Sequence, residues 1–224
     1  MMFTPNENQQ INNLFKKVGE NTEFEIMFNN YKSYNPLSLH SFMDVMKYLK
    51  YKNVKNKLKL KEIVSLDIAY SGDPKNIFRG TIYGQENINN FLSLVHQREN
   101  NMIMSIFISQ YLDKEGYELM KKEKDNNNII DIDNHDIRFR LSKEVTVEDE
   151  IKLNLLKLPL SQAENIIFRY KNRLSLELEK NINIDMTIVR SAENVSKLNS
   201  TGKIYELEID YSLPNNEQKY IKML

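Results

Sequence analysis

Glu206, Glu208 and Asp210 recur at every second residue of Tyr205 to Tyr211, with Leu207 and Ile209 between them. In an extended strand side chains alternate between faces, so the three carboxylates share one side and the apolar residues the other. Glu23 and Glu25, alternating with Phe24, Ile26 and Phe28, repeat the pattern near the amino terminus. Like charges at that spacing repel unless water or cations meet them. Two such strands side by side would gather oxygen ligands suited to magnesium or manganese. The opposite charge is arrayed in the same way. Arg169, Lys171 and Arg173 alternate with Phe168, Tyr170 and Leu174, and Arg138 and Arg140 alternate with Ile137, Phe139 and Leu141.

Each charged face alone has an ordinary explanation, the wet side of an antiparallel sheet. Together they read differently, because acidic and basic residues are segregated by strand. Were the strands to close into a barrel with helices packed outside, the apolar residues would face the helices and the charges would face inward. An unpaired buried charge costs several kcal/mol, so the interior would be a hydrated tunnel with an acidic and a basic wall. A metal-complexed polyphosphate fits both walls, with the carboxylates on the cation and the guanidinium and ammonium groups on phosphate oxygens.

Composition narrows the alternatives. The chain has 224 residues, 41% of them hydrophobic, enough for one large β-rich domain over 1–224. Lys+Arg and Asp+Glu are equal at 31 each, so distribution and not net charge must speak for a polyanionic partner. There is no cysteine, which excludes disulfides and thiolate chemistry, and His40, His96 and His135 lack zinc-motif spacing. No Gly-x-Ser-x-Gly elbow and no glycine-rich phosphate loop occurs. The absence of a long apolar run predicts no membrane partner, and the polar amino terminus a cytosolic or nuclear-type compartment.

The elements that would position these residues follow from periodicity. Helices are predicted over 7–18, ended by Gly19; from Pro36 and Ser38 onward, with a stripe of Leu39, Phe42, Met43, Met46 and Leu49; over 85–97; and over 147–158, ended by Pro159. Strands are predicted at 22–29, 63–70, 77–83, 102–111, 137–142, 168–179, 182–190 and 205–211. A lysine-rich connector spans 52–61, a Ser-Gly-Asp-Pro-Lys-Asn turn joins the second and third strands, and 121–128 reads as a polar loop. The predicted class is α+β, mainly β: a closed eight-stranded antiparallel barrel with four helices outside. The end of the chain reads as the start of a further helix, which predicts that more polypeptide follows Leu224.

Glu-Phe-Glu at 23–25, Arg-Tyr-Lys-Asn-Arg at 169–173, Asp-Met-Thr at 185–187 and Glu-Leu-Glu-Ile-Asp at 206–210 resemble, in order, the motifs of the triphosphate tunnel metalloenzymes. The likeness is to the metal-dependent RNA triphosphatases of fungal and large-DNA-virus mRNA capping systems, and it covers about residues 22–211. It implies that Glu23, Glu25, Glu206, Glu208 and Asp210 bind Mn2+ or Mg2+. It implies that Arg169, Lys171 and Arg173 hold the phosphates, joined by Arg138 and Arg140, with Asp185 and Thr187 in support. Lys171, Arg173, Arg169, Glu206 and Glu208 make up the implied catalytic set. Asp210 stands where fungal members have a third glutamate, leaving open whether it reaches the metal directly, through water or not at all. Glu177 and Glu179 face the right way to activate water. The implied substrate is 5′-triphosphate RNA, with NTPs as side substrates. The implied partner is a guanylyltransferase on the same polypeptide, and the implied location is the cytoplasm, in a viral factory or virion. Alternatives are a tunnel enzyme acting on tripolyphosphate or thiamine triphosphate, disfavoured by Met27 where Glu-x-Glu-x-Lys has lysine, and a non-catalytic RNA-binding barrel.

Overall fold

Period-two alternation of branched apolar with charged residues sets up most of the sheet, and short helices cover its apolar side. The computed structural model describes residues 3–19, 21–28, 37–56, 59–73, 76–123, 125–159, 161 and 165–212. In chain order the elements are α1 (Pro5–Phe15), β1 (Thr22–Phe28), α2 (Leu39–Asn56), β2 (Lys59–Asp73), β3 (Asn76–Tyr83), α3 (Gln85–Val95), α4 (Asn100–Gln110), β4 (Tyr117–Glu123), β5 (Ile129–Ile132), β6 (Ile137–Thr146), α5 (Asp149–Leu155), β7 (Ile166–Glu179), β8 (Ile182–Ala192) and β9 (Ile204–Ser212).

The strands run in the order β1, β9, β8, β7, β2, β3, β4, β6, and β6 pairs back onto β1. Every pairing is antiparallel, so eight strands close a barrel. β5 is an extra strand beside β6. Residues 137–140 of β6 pair with β5, and residues 143–146 with β4.

Three apolar clusters lie outside the ring. α3, α4 and α5 bury Phe91, Phe107 and Leu155 against Leu66, Ile68, Ile82 and Phe168 of β2, β3 and β7. Leu14 of α1 packs on Phe24 of β1 and on Ile137, Phe139 and Leu141 of β6. Phe42 and Leu49 of α2 pack on Leu176 and Met186 of β7 and β8. Gly80 of β3 lets α4 come close, since a Cβ there would stand 2.8 Å from Cε1 of Phe107. Pro5 and the reciprocal hydrogen bonds of Thr4 and Glu7 start α1, and Ser38 Oγ accepts from the Ser41 amide at the start of α2. No helix among the described residues is long and apolar enough to cross a membrane.

Several boundaries differ from the sequence reading. Residues 102–111 are helical, in α4, not a strand: an apolar run of that length fits either element, and Ile103, Met104 and Phe107 bury at helical spacing. The strand this displaced is β4, whose Lys121, Lys122 and Glu123 had read as the edge of a polar loop. The first helix ends at Phe15, ahead of Gly19. Much of the lysine-rich connector belongs to the last turns of α2 and the first residues of β2. Pro36, the middle of the 71–76 turn and the carboxyl-terminal segment from 213 lie outside the described residues.

Candidate active site in the barrel bore

Because the apolar members of each strand back onto helices, their alternates project into the ring. On β1 these are Glu23 and Glu25, and on β9 Glu206, Glu208 and Asp210. Asp185 and Thr187 project inward from β8, and Arg169, Lys171 and Arg173 from β7. The inward side chains of Arg169, Arg173 and Glu23 retain 35%, 28% and 28% of their accessible surface, so water enters the bore.

Register sets the acidic cluster. Glu25 stands opposite Asp210 on one side and Arg140 on the other. Carboxylate oxygens of Glu23, Glu25 and Asp210 all lie within 4.8 Å of one another. Asp210, whose reach the sequence left open, therefore converges with the β1 pair. Glu206 and Glu208 are not in this group; Glu206 accepts a 2.6 Å hydrogen bond from Nη2 of Arg169.

Crowding is visible in the acidities. Burial, then Glu23 and Glu208, push Asp210 up to about 9. Burial, then Glu25 and Glu206, push Glu208 up to about 7. Burial also raises Glu23. Burial acts on Glu25 in the same sense, but the charges of Lys122 and Arg140 outweigh it and hold Glu25 below the usual range. Oδ1 of Asp210 is buried with no hydrogen-bond partner. An all-oxygen, carboxylate-rich donor set with an orphaned buried oxygen fits a hard divalent cation such as Mg2+ or Mn2+.

The basic residues do not form a separate wall. Each β7 cation meets a carboxylate on another strand: Arg169 meets Glu206 of β9, two strands away, Lys171 ion-pairs with Asp67 of β2, and Nη1 of Arg173 lies 2.6 Å from Asp185 of β8. Nε of Arg173 also donates to Thr187 Oγ1 at 3.2 Å. Asp185 and Thr187, the inferred supporting pair, thus grip one guanidinium. Arg140 donates from Nη2 to Glu25 Oε1 at 2.7 Å and pairs with Oε2 through Nε. Arg138 is drawn away from this group, with Nε and Nη2 on Asp131 of β5 at 2.6 and 2.9 Å. Neither sequence candidate for water activation sits among the buried acids. Glu177 pairs with Lys59 at 3.2 Å, and Glu179 is exposed beyond an irregularity in the β7 and β8 pairing.

Other residues of the bore escaped the sequence reading. Nζ of Lys122 lies 2.9 Å from Glu23, 3.3 Å from Glu25 and 3.3 Å from Glu144. Arg79 of β3 donates to both oxygens of Glu144 at 3.0 and 3.2 Å, and Thr81 donates to Asp67 at 3.1 Å. Asp67 was readable, a lone carboxylate inside the apolar run of β2 and in phase with Ser65. Lys122 had no such signal, because its strand was hidden.

No protein-family model matches the chain. It is 29% identical over 212 residues to the "Probable mRNA-capping enzyme" of Acanthamoeba polyphaga mimivirus, a match covering 93% of this chain and 17% of that protein. The chain thus spans less than a fifth of the curated relative's length. A crystal structure of the RNA triphosphatase domain of the mimivirus enzyme superimposes with a TM-score of 0.73 at 28% identity, over 95% of this chain and 91% of that one. An RNA triphosphatase of S. pombe shares the fold, with a TM-score of 0.55 at 14% identity over 95% of this chain and 82% of that one. By sequence and by fold, this chain is similar to the RNA triphosphatase domain of the mimivirus mRNA-capping enzyme.

Proposed function

We propose that this chain hydrolyses the β–γ phosphoanhydride at the 5′-triphosphate end of RNA, leaving a 5′-diphosphate, with NTPs as side substrates. The observation that carries the reading is one closed bore holding both the Glu23, Glu25 and Asp210 cluster and the three β7 cations. Such a bore suits a triphosphate, whose oxygens need cations on several sides at once.

Glu23, Glu25 and Asp210 would hold Mn2+ or Mg2+, which supplies Lewis acidity and charge neutralisation at the γ-phosphate. Arg169, Lys171 and Arg173 bind phosphate oxygens and stabilise the charge that spreads over them in a loose transition state. Asp185 and Thr187 orient the fork of Arg173. Lys122 and Arg140 hold Glu25 ionised against burial, ready to act as a ligand, and Lys122 offsets part of the effect of burial on Glu23. Glu206 and Glu208 act from β9 on the position of Arg169 and on the field around the cluster. The 5′-diphosphate product is the substrate of a guanylyltransferase, the partner activity of this reading, and the setting is the cytoplasm of an infected cell.

The test is RNA labelled at its γ-phosphate, incubated with Mn2+, with Mn2+ plus tripolyphosphate as competitor, or with EDTA. Labelled phosphate should appear only with the metal, and Glu25→Ala, folded by circular dichroism, should abolish it. Hydrolysis of tripolyphosphate with none of RNA, or phosphate release in EDTA, sinks the reading.

A further inference from the structure

The richest concentration of positive charge in the chain lies outside the bore. From Lys47 to Lys61 there are seven lysines and no acidic residue, in a chain whose formal net charge is zero. Its described residues lie in the last turns of α2 and at the start of β2. The opposite side of the helix is occupied, with Phe42 and Leu49 buried on the barrel and Val45 and Met46 packed beside them. The side left to solvent carries Lys47, Tyr48, Lys50 and Tyr51, the two tyrosines 58% and 65% exposed. The ammonium of Lys52 lies 5.4 Å from the centre of the Tyr48 ring.

Positive charge recurs where β2 begins. Lys59, the first residue of β2, stands opposite Glu177 of β7, and Lys61, exposed and two residues on, is on the same side of the strand. Farther along that side come Ser65 and Asp67, the partner of Lys171. Lysines therefore occur both beside the two exposed rings of α2 and on the first residues of the strand that enters the site. Alternating lysines and accessible aromatic rings match one ligand chemistry, a single-stranded polynucleotide, whose phosphates meet the lysines while its bases stack on the rings.

Resting on the RNA triphosphatase reading, we propose that the Lys47 to Tyr51 face of α2, continued by Lys59 and Lys61, binds the nucleotides that follow the 5′ end. The enzyme would then distinguish RNA from free NTP by what lies behind the triphosphate.

The triple variant Lys47→Ala, Lys50→Ala, Tyr51→Ala tests this on the whole chain with Mn2+, because all three side chains are exposed and none lines the bore. With a triphosphate RNA of about 20 nucleotides, KM should rise about tenfold. The slope of log KM against log salt should flatten by about 1.4, the loss of two phosphate contacts. Hydrolysis of ATP should be unchanged. Binding of a 5′-hydroxyl RNA of the same length, read by fluorescence anisotropy, should weaken in parallel. Equal KM values for variant and parent on the long RNA overturn the proposal while leaving the triphosphatase reading standing. So does tighter binding of phosphatidylserine vesicles than of RNA through the same residues. No cleavage of any triphosphate RNA by a parent that hydrolyses ATP overturns both.

Discussion

Replacing Glu208 by glutamine should stabilise the metal-free protein. Glu208 lies on β9 between Glu206 and Asp210, and its carboxyl is raised from an ordinary 4.5 to about 7 by burial and by Glu25 and Glu206, although Arg173 and Arg140 pull it down. The folded-state pKa exceeds the unfolded one, so between pH 4.5 and 7 the folded chain holds a proton that the unfolded chain has released. Stability is then full below pH 4.5, falls as pH rises through that window and levels off above it. Each pH unit of the window costs about 1.4 kcal/mol, so the ionised group costs the fold about 3 kcal/mol at pH 8. Glutamine keeps the shape and removes the charge. In EDTA at pH 8, Glu208→Gln should gain about 3 kcal/mol in a urea titration followed by circular dichroism, or about 6–12 °C in Tm. At pH 5 the gain should shrink to about 1 kcal/mol. Saturating Mn2+ should narrow the gap, since the parent relieves more repulsion on binding. A variant no more stable than the parent at pH 8, or a gain that grows toward pH 5, would refute the reasoning.

Lys171→Met should cost about 3 kcal/mol in urea by leaving the buried carboxylate of Asp67 without its ammonium. Adding Asp67→Asn should recover more than half of that; a single-variant cost below about 1 kcal/mol would show the pair to be dispensable. Gly80→Ala should lose about 1–3 kcal/mol, because the new methyl meets the ring of Phe107, and an unchanged Tm would show that the ring moves aside freely. Arg173→Lys keeps a charge for Asp185 but gives up the donation to Thr187. Phosphate release should fall about tenfold or more, and parental turnover would mean that the planar fork is not needed.

Much of the barrel could be read from period-two alternation, since β1, β6, β7, β8 and β9 each carry a clean charged face. The same alternation placed Glu23, Glu25 and the β7 cations inside, because greasy faces must find helices and a closed ring has one other side. Legibility failed where pattern and environment disagree. β4 carries charge on both faces, Lys122 toward the wet bore and Lys121 and Glu123 paired on the other side, so it looked like a loop. α4 is apolar on nearly every side because it lies between β3 and α5, so it looked like a strand. The mixing of charges was hidden for another reason. Register and shear bring Asp67, Lys122 and Glu144 beside the motif residues, and one strand's sequence does not state which residue of another stands across from it.

Those cross-strand partners bear on how the bore could take a divalent cation. Among the described residues the inward ion pairs are Arg169 with Glu206, Lys171 with Asp67, Arg173 with Asp185, Arg140 with Glu25, Arg79 with Glu144, and Lys122 with Glu23, Glu25 and Glu144 together. Among the described residues Glu208 and Asp210 make no ion pair, and their acidities are pushed to about 7 and about 9. Two unmatched carboxylates side by side carry the charge that one divalent cation cancels, and Asp210 lies within the cluster that could bind it. The pairs also differ in how readily they can be traded for phosphate. Arg169 and Glu206, at 35% and 24% side-chain exposure, are partly hydrated and cheap to separate. Lys171 and Asp67, at 10% and 2%, are not. Burial lowers the pKa of Lys171 even with Asp67 beside it, so its poorly solvated charge gains most from a multiply charged phosphate. On the proposed reading a triphosphate should therefore take Arg169 from Glu206 first, and Lys171 should bridge Asp67 and the phosphate without leaving its carboxylate.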